Sequence, residues 1–93
     1  MIAHEMLLSG GLTMETVPVL FETGLRHLAS EDLRVDFSRV ETVDSAAVSM
    51  LLGWARAARR GQRVLHVSNL PDDLLSLARL YGVADLLPQQ QPA

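Results

Sequence analysis

The sequence predicts an α/β fold, with a small, mostly parallel sheet of about three to four strands packed with three to four helices. Short apolar strand patterns alternate with longer helical patterns along the chain. Each strand pattern is separated from the next by one helical pattern, as in crossover connections between parallel strands. The chain has 93 residues, the size of one small domain, and we expect residues 1–88 to form that domain and residues 89–93 a flexible tail.

The first half of the chain predicts two strands and one helix. Residues 4–9 have the composition of a strand, which we expect to end at the glycine pair that follows. Apolar residues then recur at helical spacing over residues 17–28, and Thr16 is in position to cap this helix. Residues 33–37 form a compact apolar run, which predicts a buried strand.

The second half predicts two further helices and one strand. Residues 44–60 form a long alanine- and leucine-rich helix pattern that stops at Gly61. Residues 63–67 predict the third strand, and the helix that follows it ends at Gly82. The residues expected on the core side of this last helix are Leu74, Leu77, Ala78 and Tyr81. The apolar stretch 83–87 predicts a short helical turn that closes the fold.

The composition excludes several classes of function. The chain carries a net charge of −3, which disfavours binding to nucleic acid. All eight basic residues are arginines and there is no cysteine, so mechanisms that need a lysine or a thiolate are excluded. No apolar run approaches the ~18 residues of a membrane span, so we expect no direct membrane insertion and a cytoplasmic location.

No pattern of residues predicts a catalytic, cofactor or metal site. Ser45 with His27 or His66 lacks the Gly-x-Ser-x-Gly turn of a hydrolase nucleophile. Asp36 and Asp44 are an isolated pair of acids without the flanking carboxylates that a metal site needs. We therefore expect the protein not to be an enzyme and to need no cofactor.

The start of the second helix is the most informative segment of the chain. Asp44 is placed to be the N-cap of this helix, where its carboxylate would accept a hydrogen bond from a free backbone amide. Ser45 then occupies the first helical position with its hydroxyl pointing outward. The residues alone favour an ordinary solvated serine, and they leave open a hydroxyl that is phosphorylated or docked against.

A stripe of small residues runs along this second helix, next to its apolar face. The stripe leads from Ser45 through Ser49 and Gly53 to Arg56, so another helix or backbone could approach it closely. Trp54 lies on an apolar shoulder that is wider than one core contact needs. Packing in the core accounts for Trp54, and a role as a partner anchor is the alternative.

Three segments of the chain form one further pattern: residues 8–13 at the end of the first strand, residues 34–40 in the central strand, and residues 43–45 before the second helix. Together they resemble the STAS domain family, named for sulfate transporters and anti-sigma-factor antagonists. Each segment is short, and their order and spacing over residues 7–88 carry the resemblance. The resemblance implies a STAS-like fold.

The C-terminal part is similar to one group within this family. Residues 77–83 followed by 85–88 resemble the small STAS subunits of the Mla phospholipid transporter, an ABC system that maintains outer-membrane lipid asymmetry in Gram-negative bacteria. In that group the position of Ser45 holds a hydroxyl residue and its helix docks on the ATPase. The resemblance implies a non-catalytic subunit, peripheral at the inner membrane, that supports this ATPase. The residues expected to contact the ATPase are Asp44, Ser45, Ser49, Gly53, Trp54 and Arg56.

The same surface suits a second hypothesis, an anti-sigma-factor antagonist switched by phosphorylation of Ser45, with an anti-sigma kinase as its partner. Two features depart from the family pattern. Ala47 stands where the family usually has glycine, and the family's extra N-terminal strand is expected to be shortened or missing here. An exposed sheet edge follows from the missing strand, and two copies could pair through it as a homodimer.

Overall fold

The computed structural model describes residues 3–88, which form three parallel strands, three α-helices and a short 3-10 turn. The elements follow in the order β1 (His4–Leu12), α1 (Val17–Leu28), β2 (Leu33–Val43), α2 (Ser45–Gly61), β3 (Leu65–Ser68), α3 (Asp72–Leu80) and the turn Ala84–Leu86. The predicted alternation of strands and helices is confirmed. No helix in residues 3–88 is long and apolar enough to cross a bilayer. The predicted tail, residues 89–93, lies outside the described residues.

The sheet places β2 between β1 and β3, and both pairings are parallel. His4 lies opposite Leu33, and Leu33 lies opposite Leu65, so the three strands start level with one another. Within residues 3–88 the first strand of the sheet is β1. In this part of the chain β1 pairs with β2 alone, so its other edge is unpaired, and pairing of two copies there stays a prediction.

The strands differ in length from the prediction. β1 does not stop at its glycines but continues to Leu12, because Gly10 adopts a φ of 74° and the ladder with β2 shifts register beside it. β2 continues past residue 37 to Val43, since it stays paired with this extra length of β1. β3 begins at Leu65, later than predicted. The long β1–β2 ladder carries the chain directly to the start of α2.

The ends of the helices correct three further predictions. The left-handed residue after α2 is Gln62, with a φ of 56°, and Gly61 is still helical. Thr16 stands at the N-cap position of α1, but its hydroxyl donates to the carbonyl oxygen of Gly11 at 2.8 Å and caps no helix amide. Tyr81 is 50% exposed and does not line the core, because α3 has already ended before it.

The alternation of burial along β2 shows which face of the sheet the helices cover. Leu33, Val35 and Phe37 are buried, whereas Arg34 and Ser38 between and after them are exposed. The buried face of the sheet and the apolar faces of the helices form one core. Its largest fully buried side chains are Trp54, Phe37, Leu12, Leu33, Met50, Leu51, Leu74, Val35 and Val67.

Asp36, inside β2, ties this strand to the segment after β3. Its Oδ1 atom accepts hydrogen bonds from Nδ2 of Asn69 and from the backbone amide of Ser38, both at 2.9 Å. The Asn69 bond, followed by the Ser38 bond, holds the pKa of Asp36 below its ordinary value. Because Asn69 has a φ of 58°, this bond fixes a left-handed turn between β3 and α3.

Candidate functional site at the start of α2

Asp44 organises the start of α2 through both of its carboxylate oxygens. Oδ1 accepts from the backbone amide of Ala46 at 2.8 Å, which confirms the predicted N-cap. Oδ2 accepts from the backbone amide of Met14 at 3.1 Å, and the Asp44 amide donates to the carbonyl oxygen of Leu12 at 3.1 Å. One residue therefore joins the end of β1, the loop before α1 and the first turn of α2.

Ser45 is the first residue of α2, and it is exposed. Within residues 3–88 its hydroxyl has no hydrogen-bond partner, since Asp44 already serves as the cap. The first amides of a helix carry a partial positive charge that favours an anionic group nearby. The site therefore presents an accessible, unbonded hydroxyl at the positive end of a helix of 17 residues.

An exposed strip continues from Ser45 along α2. Ser49 is exposed one turn further on, and Arg56 is exposed about two turns beyond it. On the other side, Met14 lies against Asp44 through its backbone, and the Met14 residue is 73% exposed. We refer to Met14, Asp44, Ser45 and Ser49 as the docking surface.

Sequence reasoning missed Met14, although a topological signal was available. The carboxyl ends of parallel strands lie at one edge of a sheet, so the segments that follow them come together. Leu12 lies opposite Val43 at the ends of β1 and β2. Met14 and Asp44 follow these two residues closely, which is why they meet.

Gly53 has a different role from the one expected of it. This residue is partly buried, and a Cβ atom placed on it would lie 2.5 Å from Cε1 of Phe21 in α1. The absence of a side chain at Gly53 therefore makes room for the protein's own α1. Of the stripe of small residues, only Ser45 and Ser49 are therefore available to contact a partner.

Trp54 is fully buried, with 0% of the residue exposed, so the partner-anchor hypothesis is wrong. Its Nε1 donates to the carbonyl oxygen of Phe21 at 3.0 Å. A methyl group at Gly24 of α1 would overlap the indole ring, so this glycine is the place where the ring enters α1. Packing in the core, which the residues themselves favoured over the partner anchor, is confirmed, and Trp54 holds α1 against α2.

The two histidines considered as catalytic partners of Ser45 make other contacts. His27 Nδ1 lies 3.2 Å from Oε2 of Glu31, and His66 lies opposite Arg34 in the β2–β3 ladder. Within residues 3–88 no hydrogen bond joins either histidine to Ser45. The site therefore offers the Ser45 hydroxyl beside a carboxylate that its hydrogen bonds hold in place. Within residues 3–88 no basic side chain is hydrogen-bonded to this hydroxyl.

A family model described as "Mlab, STAS domain" matches residues 3–88. The chain is also similar to anti-sigma-B factor antagonists of Staphylococcus aureus, including those of strains NCTC 8325 / PS 47 and COL. Each is 27% identical over 86 residues, which cover 90% of this chain and 80% of the relative. The matched regions therefore span most of both proteins.

Among solved structures, the chain is similar to the anti-sigma factor antagonist SpoIIAA in its unphosphorylated form. The TM-score is 0.73 at 17% identity, and the match covers 99% of this chain and 84% of that chain. At this identity the likeness concerns the fold, and it confirms the predicted STAS-like arrangement of parallel strands and helices.

Proposed function

The chain belongs to the STAS domain family, and from this premise we propose that it is a non-catalytic, anti-sigma-factor antagonist whose switch is the phosphorylation of Ser45. The observation that carries the proposal is the exposed Ser45 hydroxyl, unbonded within residues 3–88, at the first position of α2. The curated relatives favour this function, because the matching proteins from several Staphylococcus aureus strains are named anti-sigma-B factor antagonists.

The partner that fits this proposal is an anti-sigma factor with kinase activity. In its unmodified form the docking surface is compact, with one apolar side chain, two hydroxyls and a carboxylate whose oxygens are already hydrogen-bonded. Such a surface can be covered by a partner without leaving a buried, unpaired charge. Within the complex, the Ser45 oxygen would accept the γ-phosphoryl group of ATP, ADP would leave, and a base of the kinase would take the proton.

Phosphorylation of Ser45 would change both the charge and the shape of the docking surface. A phosphate adds about −1.5 to −2 charge and three acceptor oxygens. The positive end of α2 would stabilise part of this charge, but the neighbouring Asp44 carboxylate would repel it. Both Asp44 oxygens already accept hydrogen bonds from backbone amides. The phosphate would also prevent close contact at Ser45. The modified protein is therefore expected to release its partner.

Co-purification followed by intact-mass analysis tests this function. Protein isolated from its native cells should carry one phosphoryl group on Ser45 in a fraction of molecules, and the unmodified form should recover an anti-sigma kinase. Ser45→Arg should abolish this recovery while leaving the thermal midpoint nearly unchanged, because Ser45 is exposed. Ser76→Arg is the matched control, since Ser76 is an exposed serine on α3, away from the docking surface.

A second candidate function is a subunit that binds and supports the ATPase of an ABC phospholipid transporter. The observation that favours it is the description of the matching family model, which names Mlab. The same docking surface would contact the ATPase, with Arg56 available at its far end. Recovery of an ABC ATPase together with an unmodified Ser45 would establish this candidate in place of the first. Transporter genes beside the coding gene would point the same way, whereas a sigma-factor operon would favour the antagonist.

A further inference from the structure

His4, His27 and Glu31 form a cluster beside the start of β1 and the end of α1, whereas the docking surface follows the other ends of β1 and β2. Each offers one ligand atom, and these atoms all lie within 4.8 Å of one another. We propose that this cluster binds one divalent transition-metal ion of the zinc class. The sequence predicts no metal site, because the two histidines are far apart in the chain and no ligand motif connects them.

The fold brings the three side chains together by joining the start of β1 to the end of α1. The backbone amide of His4 donates to the carbonyl oxygen of Asp32 at 3.0 Å, which fixes the first residue of β1 beside the segment after α1. The amide of Glu31 donates to the carbonyl oxygen of His27 at 2.9 Å, so these residues keep helical i, i+4 spacing beyond the last turn. All three residues are partly buried.

The separation of two of the donor atoms already suits a zinc ion. His27 Nδ1 lies 3.2 Å from Oε2 of Glu31. Two ligands of a tetrahedral zinc, each about 2.0–2.1 Å from the ion, lie about 3.3 Å apart. An ion can therefore be bound between these two atoms with little movement of either side chain.

His4 supplies the third ligand by turning its ring. In the structure the rings of His4 and His27 are stacked, with centroids 3.4 Å apart and planes inclined by 10°. An ion lies near the plane of any imidazole that binds it, so the two rings cannot ligate it while they are stacked. Within residues 3–88 the His4 side chain has no hydrogen bond, and face-to-face stacking is an unfavoured ring geometry, so His4 can turn at small cost.

The chemistry of the donors selects the class of metal. Two imidazoles and one carboxylate suit zinc, nickel and copper, whereas magnesium and calcium prefer sites built from oxygen atoms. Three protein ligands leave a fourth position for water. Binding would attach the first residue of the edge strand β1 to the end of α1.

Titration of the whole protein with Zn²⁺ or Ni²⁺ tests the site. Isothermal calorimetry should show one ion per chain, and an excess of Mg²⁺ should not compete. His4→Gln, His27→Gln and Glu31→Gln should each weaken binding by at least about tenfold. His66→Gln is the matched control, because His66 lies on β3, at the other edge of the sheet from β1. This variant should bind the ion with the same affinity as the unchanged protein.

A second readout needs no substitution. In the NMR spectrum of the unchanged protein, the ring protons of His4 and His27 should shift with one equivalent of Zn²⁺, while those of His66 stay in place. The proposal is overturned if the His66 signals shift equally, or if His4→Gln and His27→Gln bind the ion with full affinity. One ion per two chains, accompanied by a dimer, would also overturn it, because it would assign the ligands to two copies.

Discussion

The first turn and the middle of α2 belong to one continuous helix, yet they face different surroundings. In the first turns, Ser45 and Ser49 are exposed. In the middle, Trp54 has 0% of its surface exposed and Gly53 is partly buried. The middle of α2 is therefore fixed by packing against α1, whereas the face of the first turns that carries Ser45 and Ser49 remains accessible. A single helix can hold the fold together at one point and present a surface at another.

The middle of α2 is held by a reciprocal exchange of large and small residues with α1. Trp54 of α2 enters at Gly24 of α1, and Phe21 of α1 packs over Gly53 of α2. The hydrogen bond from Trp54 Nε1 to the carbonyl oxygen of Phe21 joins the two contacts. This arrangement orients α2, and with it the position at which Ser45 reaches the surface.

The largest effect on stability is expected for Trp54→Ala. Removing a fully buried tryptophan leaves a cavity between α1 and α2, and such substitutions cost about 3–5 kcal/mol. Urea unfolding followed by circular dichroism measures this loss. Ser45→Ala serves as the control and should stay within about 0.5 kcal/mol of the unchanged protein. A loss below about 1 kcal/mol for Trp54→Ala would contradict the packing difference between the two parts of α2.

Gly53→Ala should have the next largest effect. The added methyl group would lie 2.5 Å from the Phe21 ring, and overpacking of this kind costs about 1–3 kcal/mol. Alanine has a higher helix propensity than glycine, which by itself would stabilise the variant by about 1 kcal/mol. A net loss of stability would therefore show that the clash with Phe21 outweighs this gain.

Gly61→Ala is the matched control for Gly53→Ala, because it makes the same change in the same helix. A Cβ atom on Gly61 would meet only ordinary contacts, the nearest at 3.6 Å. The substitution should therefore leave stability unchanged or raise it by up to about 1 kcal/mol. If both variants are stabilised, Gly53 does not serve the contact with Phe21.

The order of the elements could be predicted because it depends on local patterns. Periodicities of two and of about 3.6 residues separate strands from helices without any knowledge of the tertiary fold. Asp44 was recognised as an N-cap for the same reason, since the acceptor and the amide are two residues apart. Strand ends were less predictable, because the extension of β1 through Gly10 depends on pairing with β2.

The accessible part of α2 could not be separated from its buried part by sequence alone. A helical wheel places Ser45, Ser49 and Gly53 on one stripe, and it assigns Trp54 to an apolar shoulder with two interpretations. The distinction depends on where α1 crosses α2, which is a property of packing between distant segments. Gly24 within the apolar pattern of α1 was the one local sign that a large side chain enters there.

Asp44→Ala should have a smaller effect, because it removes hydrogen bonds without opening a cavity. Loss of an N-cap typically costs about 1 kcal/mol, and here the bond to the Met14 amide is lost as well. Chemical unfolding measures the change in free energy. Asp44→Asn is the control: the Oδ1 of asparagine can still accept from the Ala46 amide as a good cap, whereas its Nδ2 cannot accept from the Met14 amide, so only the part of the stability that belongs to the cap should return. Equal losses for both variants would assign the effect to the charge of Asp44 or to its bond with the Met14 amide, and not to capping.

The smallest effect, and the one of opposite sign, is expected for Ser49→Ala. Ser49 is exposed inside a helix, its hydroxyl has no hydrogen-bond partner within residues 3–88, and alanine has a helix propensity better by up to about 0.7 kcal/mol. The variant should therefore be equal or slightly higher in stability, with weaker recovery of the partner in co-purification. A gain in stability without any loss of partner binding would remove Ser49 from the docking surface. A gain in stability together with a loss of partner binding would mean that Ser49 contributes to binding and slightly destabilises the fold. Gly53, one turn further along, differs because it contributes to the packing of the fold itself.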